Sequence, residues 1–113
     1  MKLQKFFKKN KIPNATLRSF TIHYNSNDNE LDIFFIANDI PVCIECKSGE
    51  FRYDIHKYSK LRKQFKLEKT QFLLCVLGLE ERITQGLSST HDLTFVNETN
   101  FLNHLKSLLL QTP

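Results

Sequence analysis

The sequence has few of the residues that mark disordered or disulfide-stabilised chains. Tryptophan is absent, and the 113 residues include only three glycines and three prolines, which argues against a low-complexity chain. The three cysteines, Cys43, Cys46 and Cys75, are an odd number, and no apolar signal segment follows the basic N-terminus. We therefore expect reduced thiols and a cytoplasmic protein. No apolar run approaches the length that crosses a bilayer, so no membrane partner is expected.

The composition supplies a core and an excess of positive charge. Apolar residues make up 41% of the chain and include ten phenylalanines, enough for residues 1–113 to form a single domain. The chain has sixteen Lys and Arg residues and twelve Asp and Glu residues, and many of the basic residues cluster in residues 2–11 and 57–69. Two basic clusters fit a polyanion such as nucleic acid, although two solvated helix faces would give the same pattern.

Hydrophobic periodicity predicts an α/β fold. Helices are predicted over 2–10, 51–69 and 99–110, and strands over 17–24, 31–36, 42–46, 70–77 and 93–96. The second and third strands are nearly all apolar, so both of their faces should be covered. The order is a helix, a three-strand meander, a helix, a strand and a small αβα tail, which indicates one α/β domain.

Two carboxylates and a lysine interrupt the apolar strands. Asp32 lies within the second strand, and Glu45 and Lys47 lie two residues apart in or beside the third, so Glu45 and Lys47 should share a face. A tight hairpin between the strands would bring Asp32 near Glu45. Burying carboxylates costs several kcal/mol unless each finds a partner or a metal, and paired carboxylates suit Mg²⁺ or Mn²⁺. The alternative is an ion pair that only orders the sheet.

The motif residues resemble those of a nuclease superfamily. The stretches Asn29-Glu-Leu-Asp-Ile-Phe34 and Pro41-Val-Cys-Ile-Glu-Cys-Lys-Ser-Gly49 are similar to PD-(D/E)XK nucleases. They are most like the nuclease domains fused to cyclic-oligoadenylate sensor domains in CRISPR ancillary effectors, which act in antiviral defence. There an N-E-L/V-D strand precedes an I-E-C-K-[ST]-G strand. The resemblance covers residues from about 17 to 78 of this sequence.

The resemblance implies both a fold and a set of site residues. The fold would be restriction-endonuclease-like, an αβββαβ core with a central mixed sheet flanked by helices. Asp32, Glu45 and the backbone carbonyl of Cys46 would bind the metal, and Lys47 would be the catalytic lysine alongside the two carboxylates. Many members add a glutamate on the first helix, but residues 1–24 contain no Asp or Glu. A sensor domain is also absent, so the nuclease would stand alone or have a separate regulatory chain.

Several other residues have a weaker claim to function. Glu30 lies two residues before Asp32 and so should point to the same face of the strand. It is either a secondary metal ligand or a solvated residue at the strand start. On the helix after the motif, Lys57, Lys60 and Lys63 are predicted to bind nucleic acid, whereas Tyr58 is interpreted as core packing.

Other groups that often carry chemistry are assigned no role. Cys43 and Cys46 would point to opposite faces of a strand, which disfavours zinc. No glycine-rich phosphate loop occurs. The four histidines are interpreted as surface or packing residues: His23, His56, His91 and His104.

These features lead to one prediction and two alternatives. The chain is predicted to be an Mg²⁺- or Mn²⁺-dependent nuclease that hydrolyses phosphodiester bonds of DNA or RNA, with basic clusters holding the backbone. A nuclease that cuts both strands often works as a homodimer. The first alternative is a non-catalytic nucleic-acid-binding or assembly module with the same fold. The second is an unrelated α/β domain with a structural ion network.

Overall fold

The structure, a computed structural model, describes residues 3–24 and 27–110, and for residues 19–24 and 27–31 it describes only the backbone. The described part contains four helices and five strands. In chain order they are α1 Leu3–Lys9, β1 Asn14–Tyr24, β2 Asn27–Ala37, β3 Ile40–Lys47, α2 Ile55–Gln64, β4 Phe72–Val76, α3 Glu81–Thr90, β5 Thr94–Val96 and α4 Phe101–Leu109. Short 3₁₀ turns at Arg52–Asp54 and Lys69–Gln71 precede α2 and β4.

The five strands form one mixed sheet in the order β1-β2-β3-β4-β5. The first three pair antiparallel as a meander, whereas β4 lies parallel to β3 and β5 lies parallel to β4. Parallel neighbours need crossover connections, which α2 and α3 supply. The prediction of an α/β fold with a three-strand meander is therefore confirmed.

Helices cover both faces of the sheet. On one face, α1 and α4 pack on the sheet through an apolar cluster that includes Phe7, Phe35 and Leu105. On the other face, α2 and residues near α3 form a second cluster that includes Tyr58 and Phe72. Every residue of β4 is buried, as expected for a strand covered on both sides. Among residues 3–24 and 27–110, no helix has the length and apolarity to cross a membrane.

The helix predicted over 51–69 is shorter than expected. It ends at Gln64 because Lys66 adopts a positive φ of 56°. The Leu67 N–H donates to the Arg62 carbonyl and the Lys66 N–H donates to the Lys63 carbonyl, which is the Schellman arrangement that usually contains glycine. Leu67 is buried beyond it. A lysine at this position does not indicate a helix end in the sequence, so the predicted helix extended beyond its observed end at Gln64.

The β2–β3 hairpin turns at Asn38 and Asp39, whose φ values are 50° and 64°. Two consecutive positive φ angles match the two-residue hairpin turn that fits the strand twist. The Asn38 side chain donates to the carbonyl of Leu109 at 2.9 Å and so ties the turn to α4. Strand β2 begins at Asn27, four residues before the predicted start at residue 31; residues 25 and 26 lie outside the described residues.

Candidate functional site

Asp32 and Glu45 meet where pairing between β2 and β3 ends. The register of these strands runs from Ala37–Ile40 to Ile33–Ile44. Beyond Ile33 and Ile44, the backbone N–H groups of Asp32 and Cys46 donate to side chains and not to the carbonyls of the opposite strand. The Asp32 N–H donates to Glu45 Oε1 at 2.8 Å, and the Cys46 N–H donates to Asp32 Oδ2 at 2.7 Å. Two carboxylates therefore take the place of ladder carbonyls as acceptors and lie together at this point.

Glu45 is buried and accepts the hydrogen bond from the Asp32 N–H. Its side chain and backbone together are 3% exposed. Burial raises the pKa of Glu45 to about 7, the negative charge of Asp32 adds to the rise, and the Asp32 N–H opposes it. Desolvation penalises the ionised form, so the pair of acids favours a cation or a proton beside it.

Lys47 lies on the same face as Glu45, and it contacts Asp54, directly before α2, and Tyr58, within α2. Its Nζ donates to Asp54 Oδ2 at 3.0 Å and lies 5.5 Å from the centre of the Tyr58 ring. Burial opposes its charge, but side-chain hydrogen bonds with Tyr58 and Asp54 outweigh burial and raise the pKa of Lys47. The side chain is therefore a fixed ammonium group at neutral pH.

Tyr58 lies beside the carboxylate and the lysine. It is 2% exposed, its ring centroid is 5.9 Å from that of Phe72, and it is close enough to Glu45 and Lys47 to affect the pKa of both. Burial, followed by the charges of Glu45 and Asp54, raises the pKa of Tyr58, so its hydroxyl stays protonated. The interpretation as core packing is confirmed, and the same ring also lies beside the Lys47 ammonium group.

Sequence reasoning missed Asp54 altogether. It ends the 3₁₀ turn Arg52–Asp54 and directly precedes α2. The available signal was its spacing of four residues from Tyr58, which places both side chains on the same helix face. Asp54 and Tyr58 together fix the position of Lys47.

The predicted nucleic-acid-binding lysines lie outside this cluster. Lys57, Lys60 and Lys63 are all exposed on α2. The Lys57 Nζ lies 5.3 Å from the centre of the Tyr58 ring, so it is close to the site. The Lys63 Nζ lies 3.4 Å from Asp92 Oδ2, so its charge is partly balanced within the protein.

The cysteines do not form a chelating pair along β3. Cys43 packs with the α2 cluster, whereas Cys46 packs against the α1 and α4 cluster. Cys46 instead lies opposite Cys75, its register partner on β4. Within the described ranges, no group of three or more His, Cys, Asp or Glu side chains could hold a metal ion. The side chain of Glu30 lies outside the described residues.

Comparison with family models, with curated proteins and with solved structures finds no match to this chain. Function is therefore inferred from the geometry of the site and from the motif residues.

Proposed function

We propose that this protein is a metal-dependent nuclease of the PD-(D/E)XK type with a restriction-endonuclease-like core. The observation that carries the proposal is the meeting of Asp32 and Glu45 where β2 and β3 stop pairing, with Lys47 on the same face as Glu45. The order of α1, three antiparallel strands, α2 and the parallel β4 is compatible with an αβββαβ core.

The donor set fits a hard divalent cation. Asp32 and Glu45 present two neighbouring carboxylates, one of them nearly inaccessible to water, and their mutual repulsion is relieved by bound positive charge. Asp32, Glu45 and the Cys46 carbonyl would hold Mg²⁺ or Mn²⁺, both of which prefer oxygen ligands and keep waters in their coordination shells. Such an ion, when bound, polarises the phosphodiester and lowers the pKa of an attacking water.

Lys47 supplies fixed positive charge beside the carboxylates. Because its pKa is raised, it acts as an ammonium donor that orients water or stabilises phosphate charge, and not as a general base. Asp54 and Tyr58 are positioning residues that hold the ammonium group in one place. This preorganisation means that little rearrangement is needed when negative charge develops on the phosphate.

The substrate would be held mainly through its backbone. Lys57 and Lys60 are exposed on the first turns of α2, the helix that carries Tyr58. Lysines in such positions neutralise phosphates without reading bases. The substrate is therefore proposed as DNA or RNA.

A non-catalytic nucleic-acid-binding module is the second candidate, and two observations favour it. Each carboxylate already accepts a backbone hydrogen bond, so both residues have a structural role without any metal. The region 1–24 also offers no acidic side chain to add to the site.

Cleavage and metal binding separate the two candidates. The protein is incubated with single- and double-stranded DNA and RNA in Mg²⁺, Mn²⁺ or chelator, beside the variant Asp32→Asn/Glu45→Gln. Metal-dependent cleavage by the wild type alone supports the nuclease. Calorimetry with Mn²⁺ should also show heat for the wild type and none for the variant. If the wild type binds nucleic acid but cuts none, and calorimetry shows no heat on addition of Mn²⁺, the second candidate is supported.

A further inference from the structure

A cavity lies between α2 and the C-terminal end of α3, and Asp32, Glu45 and Lys47 are not among the residues that line it. Its volume is about 550 Å³, within the range of small-molecule sites. Arg52, His56 and Ser59 line one side, and His91 and Asp92 line the other. The proposed nuclease chemistry uses none of these five side chains.

The donors in this cavity favour an anionic group. A guanidinium, two imidazoles and a hydroxyl can each donate hydrogen bonds, and Arg is especially suited to phosphate. The guanidinium of Arg52 lies 4.7 Å from the centre of the Phe51 ring, which orients it. Asp92 is the only carboxylate among the lining residues, and Lys63 balances its charge at 3.4 Å. Arg52, Asp92 and the adjacent Lys63 together carry one formal positive charge.

The turn that borders the cavity also exposes an aromatic ring. Tyr53 is 90% exposed, although large aromatic residues usually bury much of their surface. It lies between Arg52, which lines the cavity, and Asp54, which binds Lys47. An exposed aromatic ring next to positively charged donors is an arrangement that can stack on a nucleic-acid base.

We infer that the 3₁₀ turn Arg52–Asp54 and the adjoining cavity form a subsite for one nucleotide beside the scissile phosphate. The base stacks on Tyr53, and a phosphate of the same strand binds between Arg52 and His56. Asp54 in the same turn accepts a hydrogen bond from Lys47, so the turn adjoins the proposed catalytic residues. The inference rests on the proposed function, because it places this nucleotide next to the bond that is cut.

Binding is measured in chelator, so that no cleavage is needed for the result. Fluorescence anisotropy with a labelled short single-stranded oligonucleotide is compared for the wild type, Tyr53→Ala and Tyr53→Phe. Loss of one stacked base should weaken binding about fivefold to a hundredfold, whereas the phenylalanine retains the ring and should bind as the wild type does. Tyr53 is exposed, so neither change should alter the thermal midpoint.

The phosphate half of the subsite is tested with Arg52→Ala/His56→Ala. Both residues are exposed, and the double variant should weaken binding about tenfold or more, because charge-assisted contacts to phosphate are among the stronger ones. Arg82→Ala is the matched control, since Arg82 is exposed on α3 and pairs only with Glu80 among the ion pairs of the described residues. It should bind oligonucleotide as the wild type does.

The outcomes separate the subsite from the nuclease. Unchanged affinity in Tyr53→Ala and in the double variant overturns the subsite, even when the wild type cuts nucleic acid. Weaker binding in both variants supports the subsite, even when the wild type cuts nothing. An equal loss in Tyr53→Phe overturns the stacking role, and an equal loss in Arg82→Ala overturns the phosphate role because general charge then explains it.

Discussion

Strand β3 presents two faces that serve different purposes. Toward α1 and α4 it places Val42 and Ile44, both fully buried in an apolar cluster. Toward α2 it places Cys43, Glu45 and Lys47, so the same strand passes from an apolar core to a buried acid and an ammonium group. The first face contributes stability through burial, and the second carries charge at a cost in stability.

The difference shows how one strand can supply both a core and a site. Side chains alternate between faces, so a single residue step separates the fully buried Ile44 from Glu45. Removal from water stabilises the fold at the apolar Ile44, whereas at Glu45 it raises the pKa of the carboxyl group. Substitutions on the two faces should therefore change different measurements.

The largest expected effect is on stability, on the apolar face. Ile44→Ala should lower the free energy of unfolding by about 2–5 kcal/mol, because it removes buried methylenes and leaves a cavity. Urea denaturation monitored by circular dichroism measures the change. A loss below about 1 kcal/mol would mean that this face is not the tightly packed core described above.

On the charged face, Lys47→Ala should abolish cleavage and leave folding intact. Removing one fixed donor from a site of this kind costs about a hundred- to a thousandfold in rate. Affinity for nucleic acid should change little, since Lys47 is one of sixteen basic residues. The control is Lys106→Ala, an exposed lysine on α4, which should cut normally. If Lys47→Ala cuts as fast as wild type, Lys47 is not catalytic.

Replacing the buried acid should give a pH-dependent stabilisation. Glu45 has a pKa raised from 4.5 to about 7, so the metal-free native state binds more protons than the unfolded state between these values. Stability from this group is present below about pH 4.5 and is lost as pH rises to about 7. Glu45→Gln avoids that loss, and its amide keeps an acceptor for the Asp32 N–H.

At about pH 8, in chelator, Glu45→Gln should therefore be more stable than wild type by up to roughly 3 kcal/mol. Thermal or urea unfolding across pH measures the difference, which should shrink on acidification. Glu81→Gln, an exposed change on α3, serves as the control without this pH dependence. A variant less stable than wild type at alkaline pH would show that ionised Glu45 stabilises the fold.

The smallest expected effect separates the exposed lysines of α2. Lys57→Ala/Lys60→Ala should reduce the slope of log affinity against log salt concentration by about 0.9 for each lost phosphate contact. Lys63→Ala/Asp92→Ala removes a neutral pair and should leave the slope nearly unchanged. Salt titrations of oligonucleotide binding compare the two. Equal losses would show that Lys63 contacts phosphate despite Asp92.

Much of this arrangement was predictable because alternation and hydrophobic periodicity are local. The strand positions of Asp32, Glu45 and Lys47 follow from apolar runs interrupted by charge, and the hairpin follows from the Asn38-Asp39 turn. The end of α2 was not predictable, because a lysine adopts the backbone conformation that glycine usually marks. The second role of Tyr58 was not predictable for another reason, since helical spacing alone cannot distinguish a packing tyrosine from one that also lies beside charged groups.

The α/β class, the meander and the shared face of Glu45 and Lys47 follow from the sequence, because strand and helix periodicity depends on residues close together in the chain. The replacement of ladder acceptors by the two carboxylates, and the contacts of Asp54 and Tyr58 with Lys47, appear only in the folded protein. Folding also brings His56 and His91 to one cavity across 35 positions of the chain. Those contacts join distant segments, and their geometry depends on how α2 and α3 pack on the sheet.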